Sequence, residues 1–294
     1  SPGLHNIAVR HPNGCVKITN NNIPFDIENF QRLALVLEDE VYNDASFKKA
    51  LIDTASSMEV GSIWDFKNRI GTLANKVSGN LEKAINELEG NETWALKPSY
   101  VDNNPYMLKP AIKWGVNEGN FIHMNELFGP VLAVIRASDL KHAIKIVNDT
   151  GYGLTSGIES LDEREVTYWK ENLKAGNLYV NRGTTGAIVL RQPFGGMGKS
   201  AIGAGRKAGF YNYVTQFVDI EETTPVITKK YDNELTQFID KCKGISNNKE
   251  DFEKLAISLQ SYLANFDSEF SLAKDYANVR GEDNHFKYIP LDNV

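Results

Sequence analysis

Three kinds of residue in this 294-residue sequence could do chemistry by type and spacing: two thiols, a glycine-rich stretch carrying Lys and Ser, and a Glu and several Phe set in short fixed strings. A thiolate can attack a carbonyl carbon or bind a metal, and Cys15 and Cys242 are the only candidates. They lie far apart, with no CxxC pair and no Cys/His spacing, so a zinc site and a disulfide framework both lack support and no metal is expected. Glycine is concentrated between Gly183 and Gly209, as it is where backbone must turn sharply or approach a ligand. Gly198-Lys199-Ser200 matches the end of a phosphate-binding loop, but Pro193 occupies the place of that motif's first glycine and has no N–H to offer. Gly203-Ala204-Gly205 with Gly209 reads GxGxxxG, one residue too long for the dinucleotide fingerprint, and no strand precedes it.

Two longer strings are more specific. Asn125-Glu126-Leu127-Phe128-Gly129-Pro130-Val131-Leu132-Ala133-Val134 and Gln192-Pro193-Phe194-Gly195-Gly196-Met197-Gly198-Lys199-Ser200 both resemble signatures of the aldehyde dehydrogenase superfamily. Residues 148–158 and 175–182 look like two further landmarks, in the family's order. The resemblance runs from about residue 33 to residue 220 and corresponds to the catalytic half of that fold. Residues 181–189, Asn-Arg-Gly-Thr-Thr-Gly-Ala-Ile-Val, lead into Arg191-Gln192-Pro193-Phe194 and are similar to the substrate-anchor loop of L-glutamate γ-semialdehyde (1-pyrroline-5-carboxylate) dehydrogenases, especially of the bacterial PutA type. Lys207-Ala208-Gly209 and Asn212-Tyr213-Val214 look like the same branch. Gly281-Glu282-Asp283-Asn284 with Tyr288-Ile289-Pro290 resembles a segment beyond the dehydrogenase module of some PutA proteins.

The resemblance implies NAD-dependent oxidation of a small semialdehyde to a carboxylate, a step of proline catabolism. Glu126 would accept hydrogen bonds from the hydroxyls of the nicotinamide ribose, and Phe128 would pack beside the nicotinamide ring. Backbone N–H groups of Gly186 and Ala187 would hold the substrate's carboxylate, and Phe194 would wall its aliphatic part. In the family the nucleophilic Cys stands just ahead of the strand at Leu35. Here Gln31-Arg32 runs into Leu33, and aligning on Val41-Tyr42-Asn43-Asp44 puts Asn29 at the nucleophile position, so no catalytic residue is assigned. The chain alone is therefore expected to be inactive, with NAD bound only by the complete enzyme. The competing reading is a non-catalytic, aldehyde-dehydrogenase-like assembly or accessory module.

These residues need a scaffold. With 41% hydrophobic and 24% charged residues the composition is that of a globular chain. Its net charge of −6 gives no reason to expect nucleic-acid binding, and no apolar run approaches the length of a membrane span. No leader peptide is visible, and the sparse cysteines fit a reducing, cytoplasmic location. From position 221 onward there are 14 acidic and 9 basic side chains, so the tail holds most of the net charge. The expected organisation is an irregular segment over 1–30, a catalytic-domain portion over 31–220 and an acidic, largely helical extension over 221–294. Apolar runs predict strands at 15–19, 33–37, 131–135 and 177–181. Helical periodicity predicts helices after Asp44, over 80–88, after a Ser138 cap, and over 163–173. The fold class expected is α/β: an incomplete aldehyde dehydrogenase fold, with a parallel-rich sheet flanked by helices. Thr215 to Ile220 alternates like an edge strand, and pairing across subunits through it would make a homo-oligomer.

Overall fold

Short aliphatic runs ending in polar turns favour strands, and runs that are apolar on every residue favour strands covered on both faces. The computed structural model describes residues 4–8, 33–184, 187–202, 206–209, 211–219, 221, 233–245 and 248–290. One seven-stranded sheet has the order β3-β4-β5-β2-β1-β7-β8. Its strands are β1 (Leu4–Ala8), β2 (Leu33–Glu38), β3 (Thr93–Leu96), β4 (Ala111–Val116), β5 (Val131–Ala137), β7 (Thr155–Glu159) and β8 (Asn177–Val180). Every pairing is parallel except β3 with β4. The parallel-rich α/β architecture expected from the sequence is present.

Alternate residues of β2 enter two separate cores. Ala34 and Val36 pack with Ala143, Ile144, Val147 and Trp169, whereas Leu35 and Leu37 pack with Phe47, Leu51 and Ala55. The helices behind these contacts are α2 (Ala45–Ser56) on one face and α5 (Leu140–Asp149) and α6 (Glu163–Asn172) on the other. Asp44 caps α2 as expected, its carboxylate accepting from Ser46 N at 2.8 Å and Phe47 N at 3.3 Å. Before it, the short α1 (Asp39–Asn43) follows β2 directly.

Several expectations need correction. The helix expected over 80–88 is α3 (Gly79–Asn86), which ends at a Glu87 cap and leaves Leu88 exposed instead of on the buried face. The cap of α5 is Asp139, not Ser138: its carboxylate, a stronger acceptor than a hydroxyl, takes His142 N at 2.9 Å while Ser138 Oγ donates to it at 3.0 Å. The irregular opening fails at Leu4–Ala8, which forms β1 between β2 and β7. Local pattern could not show this, because both neighbours are distant in sequence and their inner edges need a partner for their backbone groups. The strand expected at 15–19 lies outside the described residues.

The expected edge strand at 215–220 is also overturned. Residues Tyr211–Val214 form helix α7 and Thr215–Phe217 continue as a 3₁₀ turn; Ile220 lies outside the described residues. Thr215 Oγ1 donates to Asn212 O at 2.8 Å and Gln216 Nε2 to Tyr213 O at 3.1 Å, while the Tyr213 and Phe217 rings meet edge to face. Contacts at this spacing favour a helical turn over extended backbone.

The chain divides into two units. One runs through the sheet to Gly209 without Leu190–Gln192; the other takes those three residues together with the chain from Phe210 onward. Within the second, α8 (Asn233–Ile245) and α9 (Lys249–Asn265) agree with the expected helical tail. A hairpin of β10 (Lys274–Asp275) and β11 (His285–Phe286) follows, with Phe270, Phe286 and Tyr288 in edge-to-face contact beside it.

Candidate functional site

The candidate residues collect at the edge of the sheet where the parallel strands begin. Between α4 (Phe121–Met124) and β5, Leu127 is buried while Phe128 sits at φ 53° with 58% of its surface exposed. A side chain at Gly129 would collide with Leu81, so the turn presses closely against α3. The short helix before them is pinned from beneath. Gly119 N donates to His123 Nδ1 at 3.0 Å, so Nε2 carries the proton and donates to Ile146 O at 2.9 Å. Burial pushes the His123 imidazole below its ordinary range and keeps it neutral. Lys113 donates to Glu92 at 2.8 Å and Asn120 donates to the other Glu92 oxygen at 2.8 Å. Burial opposes ionisation of Glu92, but these hydrogen bonds outweigh it and hold the carboxyl below its usual range.

The second part of the site is built from the glycine-rich stretch. The chain leaves β8 at Asn181 and by Pro193 is back beside the first residue of that strand, where Asn177 Nδ2 donates to Pro193 O at 3.0 Å and Asn177 Oδ1 accepts from Gly195 N at 3.3 Å. Phe194 pairs with Ala208 through two backbone hydrogen bonds of 2.9 Å. Lys207 donates its ammonium to Gly176 O, and burial pushes its pKa down to about 8. Met197 and Gly198 form β9, which pairs with β6 (Tyr152–Gly153). The glycines here serve backbone packing: a Cβ on Gly176 would lie deep inside the Gly195 carbonyl oxygen, and one on Gly153 inside the Lys174 carbonyl oxygen. Lys199 and Ser200 are likewise internal, with Lys199 Nζ on Thr150 O at 2.9 Å and Ser200 Oγ accepting from Gly153 N at 2.9 Å.

Phe194 is therefore held at the strand-start edge, 39% exposed, and Ala187 is half-buried on the approach to it. Gly186 and Cys15 lie outside the described residues. Glu126 and Phe128 are not in reach of Phe194, because β5 and β8 are four strand spacings apart, roughly 19 Å. Between them along the same edge begin β2, β1 and β7. Two supporting residues sit inside strings quoted from the sequence but were given no role there: Asn177, which bonds Pro193 and Gly195, and Lys207, whose burial no local pattern reveals. Cys242 lies on α8, and among the described residues no group of His, Cys, Asp and Glu could hold a metal. No helix among the described residues is long and apolar enough to cross a membrane.

At the opposite edge, Glu159 ends β7, and burial pushes its carboxyl up to about 7. A folded-state pKa above the unfolded value means that the native chain holds the proton more tightly. Stability is then greatest at low pH and falls as pH rises through about 7. Glu159→Gln should remove that slope and stabilise the protein at pH 8 by about 1–2 kcal/mol, after discounting for solvent screening of a partly exposed group. Urea unfolding of both proteins at pH 5 and pH 8 reads the difference, and parallel behaviour at the two pH values would show that Glu159 is not desolvated.

The sequence profile of the aldehyde dehydrogenase family matches residues 31–222. With about two thirds of its length matched and the sheet and loops arranged as above, the chain belongs to the aldehyde dehydrogenase family. Its likenesses include enzymes of one branch. A 1-pyrroline-5-carboxylate dehydrogenase of Bacillus subtilis (strain 168) is 32% identical over 190 residues, which are 64% of this chain and 36% of that protein. The chain thus spans little more than a third of that relative's length. Proline utilization A (PutA) of Corynebacterium freiburgense superposes with a TM-score of 0.82 at 31% identity, over 99% of this chain and 29% of that one. A 1-pyrroline-5-carboxylate dehydrogenase from Thermus with bound NAD shares the fold, with a TM-score of 0.51 and 23% identity over 67% of this chain and 39% of that one.

Proposed function

We propose that this chain supplies the catalytic-half framework of an NAD-dependent L-glutamate γ-semialdehyde dehydrogenase, which oxidises the aldehyde to a carboxylate in proline catabolism. The observation that carries the reading is the return of the loop after β8 to the strand-start edge, where Asn177 and Ala208 fix Phe194 on the same edge as the Glu126-Leu127-Phe128 turn. β2, ahead of which the family's nucleophile would stand, itself begins between these two groups in the strand order.

The exposed Phe128 ring and the adjacent Glu126 carboxylate fit a nicotinamide nucleoside, one as an apolar face for a flat ring and the other as an acceptor for ribose hydroxyls. NAD+, when bound, supplies the hydride acceptor. The residues of this chain orient and exclude: Glu126 fixes the ribose, Phe128 backs the ring, Ala187 and Gly186 offer N–H groups to the substrate's carboxylate, and Phe194 shields its methylenes from water. Nucleophilic attack on the aldehyde falls to none of them, because the matched segment contains no thiol. That observation is also what favours the second reading, a non-catalytic accessory module.

The chain by itself should show no turnover of glutamate semialdehyde with NAD+ after clean purification. Turnover that disappears in Cys15→Ala would overturn the alignment and place the nucleophile in this chain. We place the chain in a cytoplasmic homo-oligomer, a reading that light scattering over a wide concentration range would sink by finding only monomer.

A further inference from the structure

Helix α4 has four residues, too few to hold its place by its own hydrogen bonds. Its N-cap is Asn120, a good capping type, yet that side chain makes no cap bond. It reaches instead to Glu92, where Asn120 Nδ2 donates to Oε1 at 2.8 Å. The first N–H of the helix is met from outside: Phe121 N donates to Glu89 Oε2 at 2.6 Å. Glu89 is in turn set by Glu92, whose Oε2 accepts from Glu89 N at 3.1 Å. Behind both stands Lys113 on β4, which donates to Glu92 Oε2 and to Glu87 O at 2.8 Å each. The Lys113 and Glu92 side chains are 4% and 1% exposed, so the pair is removed from water. Apolar residues of similar volume often stabilise a core as well as such a pair does; what this pair adds is direction, since both carboxylate oxygens are committed to donors around the start of α4. The same helical turn is held from its other end. Phe121 O accepts from Asn125 N at 3.1 Å and from Asn125 Nδ2 at 3.0 Å, and Glu126 is the next residue.

We infer that Glu92 and Lys113 are positioning residues for the cofactor turn: through Asn120 and Glu89 they fix where α4 starts, and through Asn125 where it hands the chain on to Glu126 and Phe128. The functional half of the inference rests on the proposed reading of that turn as the contact for the nicotinamide nucleoside. Neither residue touches a reacting group. With the tie cut, the turn samples more positions and binding must remove that freedom, so the loss falls on NAD+ affinity and not on aldehyde affinity or the chemical step.

The tie can be cut while the buried pair stays whole. In the chain as it stands, Asn120→Ala and Glu89→Ala should each raise amide hydrogen exchange of residues 121–128 about tenfold and leave β5 unchanged, since each loses one hydrogen bond to a carboxylate. Glu92→Gln combined with Lys113→Met removes both charges, so no unpaired charge is left buried, and it should give the same local rise. Lys49→Ala, at an exposed ion pair on α2, is the control and should change neither region. In an enzyme that joins this chain to a nucleotide-binding half with its nucleophile, the variants that cut the tie should raise KM for NAD+ about fivefold and leave kcat and the KM for glutamate semialdehyde within about twofold. Glu126→Ala, which acts at the ribose contact itself, is the reference. Unchanged exchange at 121–128, or a rise shared by β5, would overturn the positioning role. A local rise without a change in KM for NAD+, where Glu126→Ala does raise it, would overturn the link from the tie to cofactor binding. If Glu126→Ala also leaves that KM unchanged, the cofactor reading of the turn falls, and the exchange result alone decides the tie.

Discussion

In an enzyme carrying this chain and a nucleotide-binding half, Ala187→Pro should lower kcat/KM for glutamate semialdehyde at least about tenfold. Proline removes the one N–H that residue 187 can offer and fixes its φ, and a hydrogen bond to a charged group contributes on the order of 1.5–3 kcal/mol. An aliphatic aldehyde has no carboxylate to lose and should suffer much less. Glu126→Ala acts elsewhere: β5, whose start it flanks, and β8, beside which the substrate loop returns, are separated by three other strands of the sheet. That change should impair both aldehydes and raise the KM for NAD+. Steady-state kinetics with the two aldehydes separates the sites, and equal losses in Ala187→Pro would mean that the loop is structural and that the substrate is not selected by its carboxylate.

Gly176→Ala should be the most damaging small substitution in the described chain. The added methyl would sit within the Gly195 carbonyl oxygen, which is backbone and cannot rotate away, and close behind it stands Gly196 Cα. Overpacking of this kind costs about 3 kcal/mol, or a fall in Tm of roughly 6–12 °C for a domain of this size. It also pushes away the segment that carries Phe194. Gly244→Ala is the contrasting case. Gly244 lies in α8 with open space where a Cβ would go, so the same change should raise helix stability by about 0.5–1 kcal/mol. Thermal melts of the two variants should move in opposite directions; a neutral Gly176→Ala would mean that the contact between Gly176 and Gly195 is looser than the geometry states.

Local physics made much of this chain legible in advance. Apolar runs marked β2, β5 and β8, and the Asp44 cap marked α2. The strings around Glu126 and Phe194 identified the family, since each depends on residue types at fixed short spacing. What failed were features settled by partners far away in sequence. Leu4–Ala8 is a strand because β2 and β7 need a neighbour. Residues 215–217 failed for a different reason: local side-chain bonds to Asn212 O and Tyr213 O close a helical turn that the alternating pattern did not reveal. The glycine-rich stretch shows the division most clearly: its composition announced close approach of something, and only the tertiary structure decided that the something is the chain's own backbone at Gly151, Gly153 and Gly176. Residue types set what a segment can tolerate, whereas which surface meets it depends on contacts between residues dozens of positions apart, and no local pattern encodes those.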